Sequence, residues 1–189
     1  MAEPARKLVT VAEFLRFDGE SDRRYQLFGG EIVMMAPPSP THGALASSVS
    51  GLVGNQLRRP CRTLSEAGIM LPWSDTSFYV ADVAVTCSPI MGQSWCPDPV
   101  VIVEVLSRST EAEDRGVKLP AYRRLTSVRD ILLVGSDRVA VEHYVRQDGQ
   151  WVIADFGPGE TVRLTALPVE IAIDELYADL GLDEAPLAS

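Results

Sequence analysis

The chain has 189 residues, a formal net charge of −9 at pH 7 and 46% hydrophobic residues. These values are typical of one globular domain, residues 1–189, with a substantial core. The negative charge argues against a protein that coats nucleic acid non-specifically, because such a protein would repel phosphates at long range. The sequence shows neither a bilayer-spanning apolar run nor a signal peptide, so we expect a cytoplasmic protein without a membrane partner.

The cysteines are odd in number and form no CxxC pair; they are Cys61, Cys87 and Cys96. This pattern fits free thiols in a reducing compartment better than disulfides or a zinc site. We therefore expect reduced cysteines.

The first predicted elements are a short helix and a β-hairpin. The tetrapeptide TVAE at 10–13 has the form of a capping box, which begins a helix. The run YQLFGGEIVMMA predicts strands at 25–28 and 31–35, joined by a turn at Gly29-Gly30. Glu31 opens the second strand, and on these grounds alone it is an exposed acid at a strand end.

A longer helix follows the rigid loop PPSP at 37–40. Thr41 can cap it, and apolar residues at helical spacing continue to about Arg59. Its many small residues permit close packing on a sheet. His42 falls in the first turn, where a local hydrogen bond is the ordinary role, and a role in a site requires that the helix point into a cleft.

Two apolar strands each contain a single acid. After a strand at 62–71, the run FYVADVAVT at 78–86 carries only Asp82, and VVIVEVL at 100–106 carries only Glu104. A carboxylate in a buried strand is costly unless a cation or hydrogen bonds replace its water. Glu104 is therefore either a site residue or the structural ion-pair partner of Arg115 or Lys118, which follow it in a polar segment.

The two acids are expected to lie together. Side chains alternate along a strand, so Val80, Asp82 and Ala84 share one face. If the strands pair, Asp82 and Glu104 are neighbours, and both stay ionised only with a positive charge between them. Hard oxygen ligands with room for water favour Mg²⁺ or Mn²⁺. Asp98 is a rival partner, but if the strand has already begun, six extended residues separate its Cα from that of Glu104 by roughly 20 Å, too far for both to bind one ion. Because it lies between two prolines, we place Asp98 in a loop or turn.

The remainder is predicted to be a helix at about 111–125, weakened by Gly116 and Pro120, a core strand at 130–134, and an antiparallel last third. His143 is interpreted as a surface or strand-pairing residue. Asp174 can cap a closing helix. The last-third strands are predicted at 139–145, 151–156, 161–164 and 169–173.

Four segments resemble, in order, the Uma-two family of restriction-endonuclease-like proteins in the PD-(D/E)xK nuclease superfamily. They are YQLFGGEIVMMAPPSPTH, ADVAV, PDPVVIVEVLSRST and DRGVKLPAYRRL. EVLSRST followed by DRGVK is the most specific of these, and the resemblance covers roughly residues 25–145. It implies an α/β restriction-endonuclease-like fold, with a central mixed β-sheet flanked by helices. To this the chain adds a C-terminal antiparallel β extension.

The resemblance also implies a Mg²⁺-dependent phosphodiesterase site in which Asp82 and Glu104 are the superfamily acids. The superfamily lysine, two residues after the second acid, is replaced by Leu106 here, and the family supplies a lysine from the following helix, which corresponds to Lys118. Glu31 and His42 match the family's GE and SP-x-H positions and would line the same cleft. Three positions depart from the pattern, and the last two bear on the placement of the lysine: Ala81, Arg108 and Pro120.

The sequence therefore predicts a metal-dependent endonuclease that hydrolyses phosphodiester bonds of nucleic acid, with DNA as the expected substrate. Its catalytic residues would be Asp82, Glu104 and Lys118, and Mg²⁺, replaceable by Mn²⁺, would be bound by the two acids and the carbonyl of Val105.

The alternative is a nuclease-fold protein without catalysis that acts as a nucleic-acid-binding or assembly module. A homodimer is expected, with the hairpin that carries Trp151 and Phe156 as its face, because nucleases that cut both strands are often two-fold. No basic patch is evident in the sequence.

Overall fold

The computed structural model describes residues 8–20 and 23–182. Eight strands form one mixed sheet, which confirms the predicted α/β class. Their order is β2-β1-β4-β5-β6-β7-β8, with β3 also paired to β4, and β5 and β6 run parallel. The strands are β1 (Tyr25–Phe28), β2 (Glu31–Met34), β3 (Arg62–Met70), β4 (Phe78–Thr86), β5 (Pro99–Leu106), β6 (Asp130–Gly135), β7 (Val141–Gln147) and β8 (Gln150–Phe156).

Helices cover both faces of this sheet. A separate two-stranded antiparallel sheet comprises β9 (Thr161–Arg163) and β10 (Glu170–Ala172). The helices are α1 (Val11–Phe14), α2 (Pro40–Gly54), α3 (Glu111–Glu113), α4 (Leu119–Tyr122) and α5 (Ile173–Leu176), and a π-helical turn (Asp114–Lys118) joins α3 to α4. Among the residues described, no helix combines the length and apolar character that crossing a membrane requires.

The strand β5 lies between two hydrophobic layers. Val101, Val103 and Val105 pack with α2, α5 and the small sheet. Ile102 and Leu106, on the opposite face, pack with residues of α4. A strand buried on both faces reads as a continuous apolar run, which is why Glu104 stands out in the sequence.

The alternation predicted for β4 is interrupted at Asp82. Ala81 packs in the same cluster as Ala84, although strict alternation would place them on opposite faces. Opposite Asp82 in β3, Glu66 has a φ of 50°, in the left-handed region. Because a residue in that conformation disturbs the regular pleat, both strands change the direction of their side chains at this level.

Two strands, β1 and β5, share one edge of β4. The strand β3 pairs with β4 along its whole length, so it occupies the other edge. On the shared edge, β1 pairs with β4 only at Phe78, and β5 pairs only from Val83 onward. The residues between them, 79–82, have no strand partner on that side. We call this gap between β1 and β5 the fork.

The helix α2 begins and ends earlier than predicted. Ser39, rather than Thr41, is the N-cap, and its hydroxyl accepts the N–H of His42 at 3.2 Å. Pro40 then occupies the first helical position, where its missing N–H costs nothing. The helix ends at Gly54 instead of Arg59, and Asn55 is its C-cap.

The predicted helix at 111–125 is a succession of α3, the π-helical turn and α4. Pro120, the second residue of α4, has no N–H to donate to the carbonyl four residues earlier, and the turn before it is widened. The expectation that Pro120 would bend the helix or place a helix start nearby is confirmed. The widened turn carries Lys118 into the core.

The closing helix α5 starts after Ala172, so the prediction that Asp174 caps it is wrong. Asp174 instead accepts a hydrogen bond from the N–H of Gly159 at 2.8 Å. The prediction of free cysteines is also wrong for two of the three, because Cys61 and Cys87 form a disulfide and only Cys96 is a free, buried thiol. The antiparallel pairing of Arg62 with Thr86 explains this, because Cys61 directly precedes Arg62 and Cys87 directly follows Thr86, so the two cysteines lie opposite each other.

His143 is predicted to be a surface or strand-pairing residue. It pairs with Leu132 and Ala154 within the sheet, so strand pairing is confirmed, but it is buried rather than on the surface. Its Nε2 lies 2.8 Å from Oδ1 of Asp130, which is fully buried at the start of β6. Asp130 also accepts hydrogen bonds from the backbone N–H groups of Thr165 and Ala166 and from the Thr165 hydroxyl. Asp130 thus connects the main sheet to the loop between β9 and β10. Burial opposes its ionisation, but these hydrogen bonds outweigh it and lower its pKa.

Replacing Asp130 with alanine is expected to destabilise the fold by about 3 kcal/mol, because it leaves several buried donors without an acceptor. Since the pKa of Asp130 is lowered on folding, its contribution is present above the ordinary value of 3.8 and is lost as the pH falls. Urea unfolding at pH 7 measures the loss. Asp137→Ala, at a side chain that is 55% exposed, is the matched control and should change little. Equal effects of the two substitutions would contradict this role.

Candidate active site

The fork leaves backbone groups of β4 without strand partners, and side chains bind them instead. The N–H of Val80 donates to Oε1 of Gln26 at 2.9 Å, and the carbonyl of Val80 accepts from Nζ of Lys118 at 3.1 Å. The N–H of Asp82 donates to Oε2 of Glu104 at 3.4 Å. Because buried backbone groups need partners, the fork positions these three side chains.

Asp82 bridges β4, β5 and α2. Its Oδ2 accepts the N–H of Val105 at 2.7 Å, and its Oδ1 lies 3.0 Å from Nε2 of His42. The register of Val83 with Val103, carried one residue further, places Asp82 opposite Glu104. The proximity of the two acids that the sequence predicts is therefore observed.

Glu104 is almost completely buried, with 2% of its surface exposed. Its Oε1 accepts a hydrogen bond from the Tyr122 hydroxyl at 2.6 Å and another from Nζ of Lys118 at 3.3 Å. Burial raises the pKa of Glu104 to about 8, and the charges of Asp82 and Asp114 act in the same direction, while Lys118 opposes them. Without a metal, the protonation of Glu104 therefore depends on pH near and above neutrality.

Lys118 is the cation at the centre of the cluster and is itself only 4% exposed. Its Nζ lies 3.0 Å from Oδ1 of Asp114, one helical turn earlier. That oxygen has this ion pair but no hydrogen bond of good geometry. Burial lowers the pKa of Lys118, but Glu104 and Asp114 outweigh it, and the net pKa is raised. Lys118 is therefore held in its charged form.

His42 lies at the edge of the cluster and adds positive charge there when it is protonated. Its hydrogen bond to Asp82 raises its pKa, partly offset by burial. The first turn of α2 thus reaches the fork through His42. This meets the condition that the helix point into a cleft if His42 is to have a role in a site.

Glu31 is not brought to this cluster. Leu27 pairs with Phe78, and Asp82 lies four residues beyond Phe78, whereas Glu31 pairs with Phe28 on the opposite side. At about 3.3 Å per residue, the separation along the strands is about 17 Å. The expectation that Glu31 lines the cleft does not agree with this placement.

Neither Asp98 nor Arg115, the other proposed partners of Glu104, lies against it. Asp98 lies in a loop, as expected, and accepts a hydrogen bond from the Ser88 hydroxyl. Arg115 contacts Glu142 and Glu111 rather than Glu104. Of the proposed structural partners of Glu104, Lys118 is the one in contact.

Residues 11–176 match the model of the Uma2 family, described as "Putative restriction endonuclease". The chain belongs to the Uma2 family. The resemblance to Uma-two proteins is therefore confirmed.

Two relatives of this Uma2 protein come from Synechocystis sp. The uncharacterized protein slr1290 is 30% identical over 173 residues, which cover 89% of this chain and 91% of that protein. The uncharacterized protein sll1609 is 26% identical over 155 residues, which cover 79% and 88%. Both alignments extend over most of the two chains.

A solved structure supports the fold. The crystal structure of "a putative nuclease belonging to DUF820" from Anabaena variabilis superposes with a TM-score of 0.73 at 18% identity. The match covers 90% of this chain and 98% of that one. The predicted nuclease-like α/β fold is confirmed.

The sequence patterns do not reveal three site residues of this Uma2 protein: Gln26, Asp114 and Tyr122. Tyr122 and Asp114 each lie four residues from Lys118, on the same side of a helix, and this spacing is a signal that could have found them. Gln26 has no such signal, because its role depends on where β1 leaves the edge of β4.

The donor set fits a hard divalent cation. Asp82 and Glu104 supply carboxylates, and Val105 directs its N–H toward Asp82, so that its carbonyl lies on the same edge of β5. Mg²⁺ is commonly bound by one or two carboxylates together with water and substrate phosphate. In the described part of the chain, no three His, Cys, Asp or Glu side chains converge closely enough to hold a metal ion. The protein would therefore supply two carboxylates, and other oxygens would complete the shell.

The raised pKa of Glu104 predicts how the metal-free protein responds to pH. A carboxyl whose pKa rises from 4.5 to about 8 on folding stabilises the fold fully below 4.5, and this contribution is lost as the pH rises through about 8. In EDTA, the wild type should have a lower melting temperature at pH 9 than at pH 6. The melting temperature of Glu104→Gln should fall less between these pH values, because the glutamine stays neutral. Lys118 keeps Asp114 as an anionic partner in that variant. An identical pH dependence of both proteins would contradict the assignment.

Proposed function

We propose that this Uma2 protein is a metal-dependent endonuclease that hydrolyses phosphodiester bonds in nucleic acid, with DNA as substrate. The observation that carries the proposal is the fork, where Asp82 and Glu104 lie side by side with a protonated lysine against them. Membership of a family described as restriction endonucleases supports the same reaction class. The proposal treats residues 1–189 as one catalytic domain.

Asp82, Glu104 and the carbonyl of Val105 would hold Mg²⁺ or Mn²⁺. When bound, the ion would supply Lewis-acid charge to a phosphate oxygen and to the attacking water. Glu104 has to lose its proton to act as a ligand, because only the carboxylate is an effective donor. Lys118 favours that ionisation, since its charge lowers the pKa of Glu104.

Lys118 would act as a fixed cation. Glu104 and Asp114 raise its pKa in the metal-free protein, which favours the protonated amine. A protonated amine at this position can orient water or neutralise charge that develops on the phosphate. Tyr122 and Asp114 keep Glu104 and Lys118 in place. His42 holds Asp82 from the side of α2 and would add positive charge there when it is protonated.

A nicking assay tests the proposal. Purified wild type should cut plasmid or single-stranded DNA with Mg²⁺ or Mn²⁺, and EDTA should stop the reaction. Asp82→Asn, Glu104→Gln and Lys118→Met should each lose about 100-fold or more, because each removes a charge that acts in the transition state. Asp155→Asn, at an exposed acid on β8, is the matched control and should cut like the wild type.

Equal cutting in EDTA, or cutting that survives Asp82→Asn, would contradict the proposal. A folded wild type that cuts no DNA or RNA with either metal would favour the second candidate, a nuclease-fold binding or assembly module. One observation favours that candidate. All four carboxylate oxygens of Asp82 and Glu104 already have partners within the protein.

The proposal also includes a homodimer. The strand β8 ends the main sheet, and its Val152 and Ile153 are 48% and 53% exposed. Trp151 does not contribute to this dimer face, because its ring packs against Arg146. Light scattering should give a mass of about 41 kDa, twice the 20.6 kDa of one chain. Ile153→Lys should reduce the mass to that of one chain, and a wild type that is already monomeric would contradict the dimer.

A further inference from the structure

Two groups of arginine and tryptophan side chains meet the C-terminal end of α4, where Arg124 contacts Trp73 and Arg123 contacts Trp151. We call them the arginine–tryptophan patch. Its members are Trp73, Arg123, Arg124, Arg129, Arg146 and Trp151. They come from four separate segments of the chain, so the patch is not apparent in the sequence.

The guanidinium groups lie against the indole rings. Cζ of Arg124 is 4.2 Å from the ring centre of Trp73, and Cζ of Arg146 is 4.8 Å from that of Trp151. Arg123 lies over the same Trp151 ring at 5.9 Å. A guanidinium held over a ring keeps the N–H groups at its rim free for an incoming anion.

Arg146 organises the patch rather than offering its donors to a ligand. Its Nη2 donates to the carbonyls of Arg123 and Leu125 at 2.8 and 2.7 Å, and its Nε donates to the carbonyl of Val128 at 3.0 Å. The indole N–H of Trp151 donates to the same Arg123 carbonyl. These bonds fix the backbone that carries Arg123 and Arg124.

The positive charge of the patch is not compensated. Within residues 8–20 and 23–182, no carboxylate forms an ion pair with any of its four arginines, although Arg115 and Arg163 are paired. The pKa of Arg146 is lowered, by burial and then by the charge of Arg129. The chain has 26 acidic and 17 basic residues, so acidic partners for these arginines would be plentiful. Arginines that remain unpaired in such a chain indicate an anionic ligand.

The patch and the candidate active site use neighbouring residues of one helical segment. Tyr122, which donates to Glu104, immediately precedes Arg123. The side chain of Tyr122 is buried, whereas those of Arg123 and Arg124 are exposed. A strand bound at the patch would therefore lie close to the end of the helical segment that carries Lys118.

We propose that the arginine–tryptophan patch binds a single-stranded segment of nucleic acid, and this proposal rests on the nuclease function proposed above. Arg123, Arg124 and Arg129 contact successive phosphates. Trp73, which is 38% exposed, stacks against an unpaired base. Duplex bases are already stacked on each other, so an exposed indole beside phosphate-binding arginines suits an unpaired strand.

Fluorescence anisotropy with a labelled oligodeoxythymidine of about 20 nucleotides tests the proposal in EDTA, where no cleavage occurs. The double variant Arg123→Ala/Arg124→Ala should bind at least about tenfold more weakly than the wild type. The slope of log K against log salt should fall by about 1.4, or about 0.7 for each phosphate of a single strand that an arginine no longer neutralises. Trp73→Ala should weaken binding and remove part of the indole quenching caused by the oligonucleotide.

The matched control is Arg58→Ala/Arg59→Ala, which removes the same charge from two exposed arginines beyond the end of α2. If this pair weakens binding as much as the patch variant, only overall charge matters and the proposal is overturned. Tighter binding of a duplex of equal length, or no binding by the wild type, also overturns it.

Cleavage separates this inference from the function on which it rests. In an active wild type, the patch variant should raise KM for single-stranded DNA with little change in kcat. Active cleavage with an unchanged KM would refute the patch and leave the nuclease function intact. Patch-dependent binding without metal-dependent cleavage would refute the nuclease function and leave the binding surface intact.

Discussion

The site depends on the fact that β1 and β5 share one edge of β4 without meeting. Between Phe78 and Val83, that edge of β4 faces no strand. Buried N–H and C=O groups are rarely left unpaired, because the loss of water without a replacement is costly. Side chains from β1, β5 and the π-helical turn therefore reach into the gap, and three of them are Gln26, Glu104 and Lys118.

This arrangement brings charges together in a place with little water. Asp82, Glu104 and Asp114 lie around Lys118, and His42, which pairs with Asp82, adds further positive charge when it is protonated. The loss of hydration and repulsion among the acids raise the pKa of Glu104. A divalent cation would relieve both effects at once. The same features that make the cluster unfavourable without metal would thus favour binding of a metal, which is a common compromise between stability and function.

Much of the site can be predicted from local patterns. An acid alone in a run of β-branched residues is conspicuous because burial is costly, and this signal identifies both Asp82 and Glu104. The family resemblance then points to Lys118 and His42, and the structure places both beside the acids. Hairpin turns and the capping box also depend on residues close in sequence, and their predicted positions agree with the structure within one or two residues.

Features that depend on distant parts of the chain cannot be predicted in this way. The fork depends on where β1 and β5 stop pairing with β4, which no local pattern determines. The motif position of Glu31 assigns it to the cleft, but the register of the hairpin carries it to the far end. The buried Asp130–His143 pair and the Cys61–Cys87 disulfide likewise result from strand pairing across the sheet.

The same limit explains why no basic patch is evident in the sequence. Each arginine or tryptophan of the patch is unremarkable in its own segment, and only the folded chain brings them together. The net charge of −9 argues against phosphate binding, but it sums the charges of the whole chain and does not show a local cluster of arginines. Local charge, rather than the sum, decides whether an acidic protein can bind phosphates.

The central claim is that Asp82 and Glu104 bind one divalent cation together. The most direct measurement is the anomalous scattering of Mn²⁺ in crystals of the wild type soaked at a pH above 8, where Glu104 is ionised. If the two acids share one ion, a single strong peak should lie about 2.1 Å from a carboxylate oxygen of each residue, and crystals of Asp82→Asn should show no peak. A wild-type crystal with no Mn²⁺ at the fork, or with Lys118 still paired to Glu104 and the ion bound elsewhere, would contradict it.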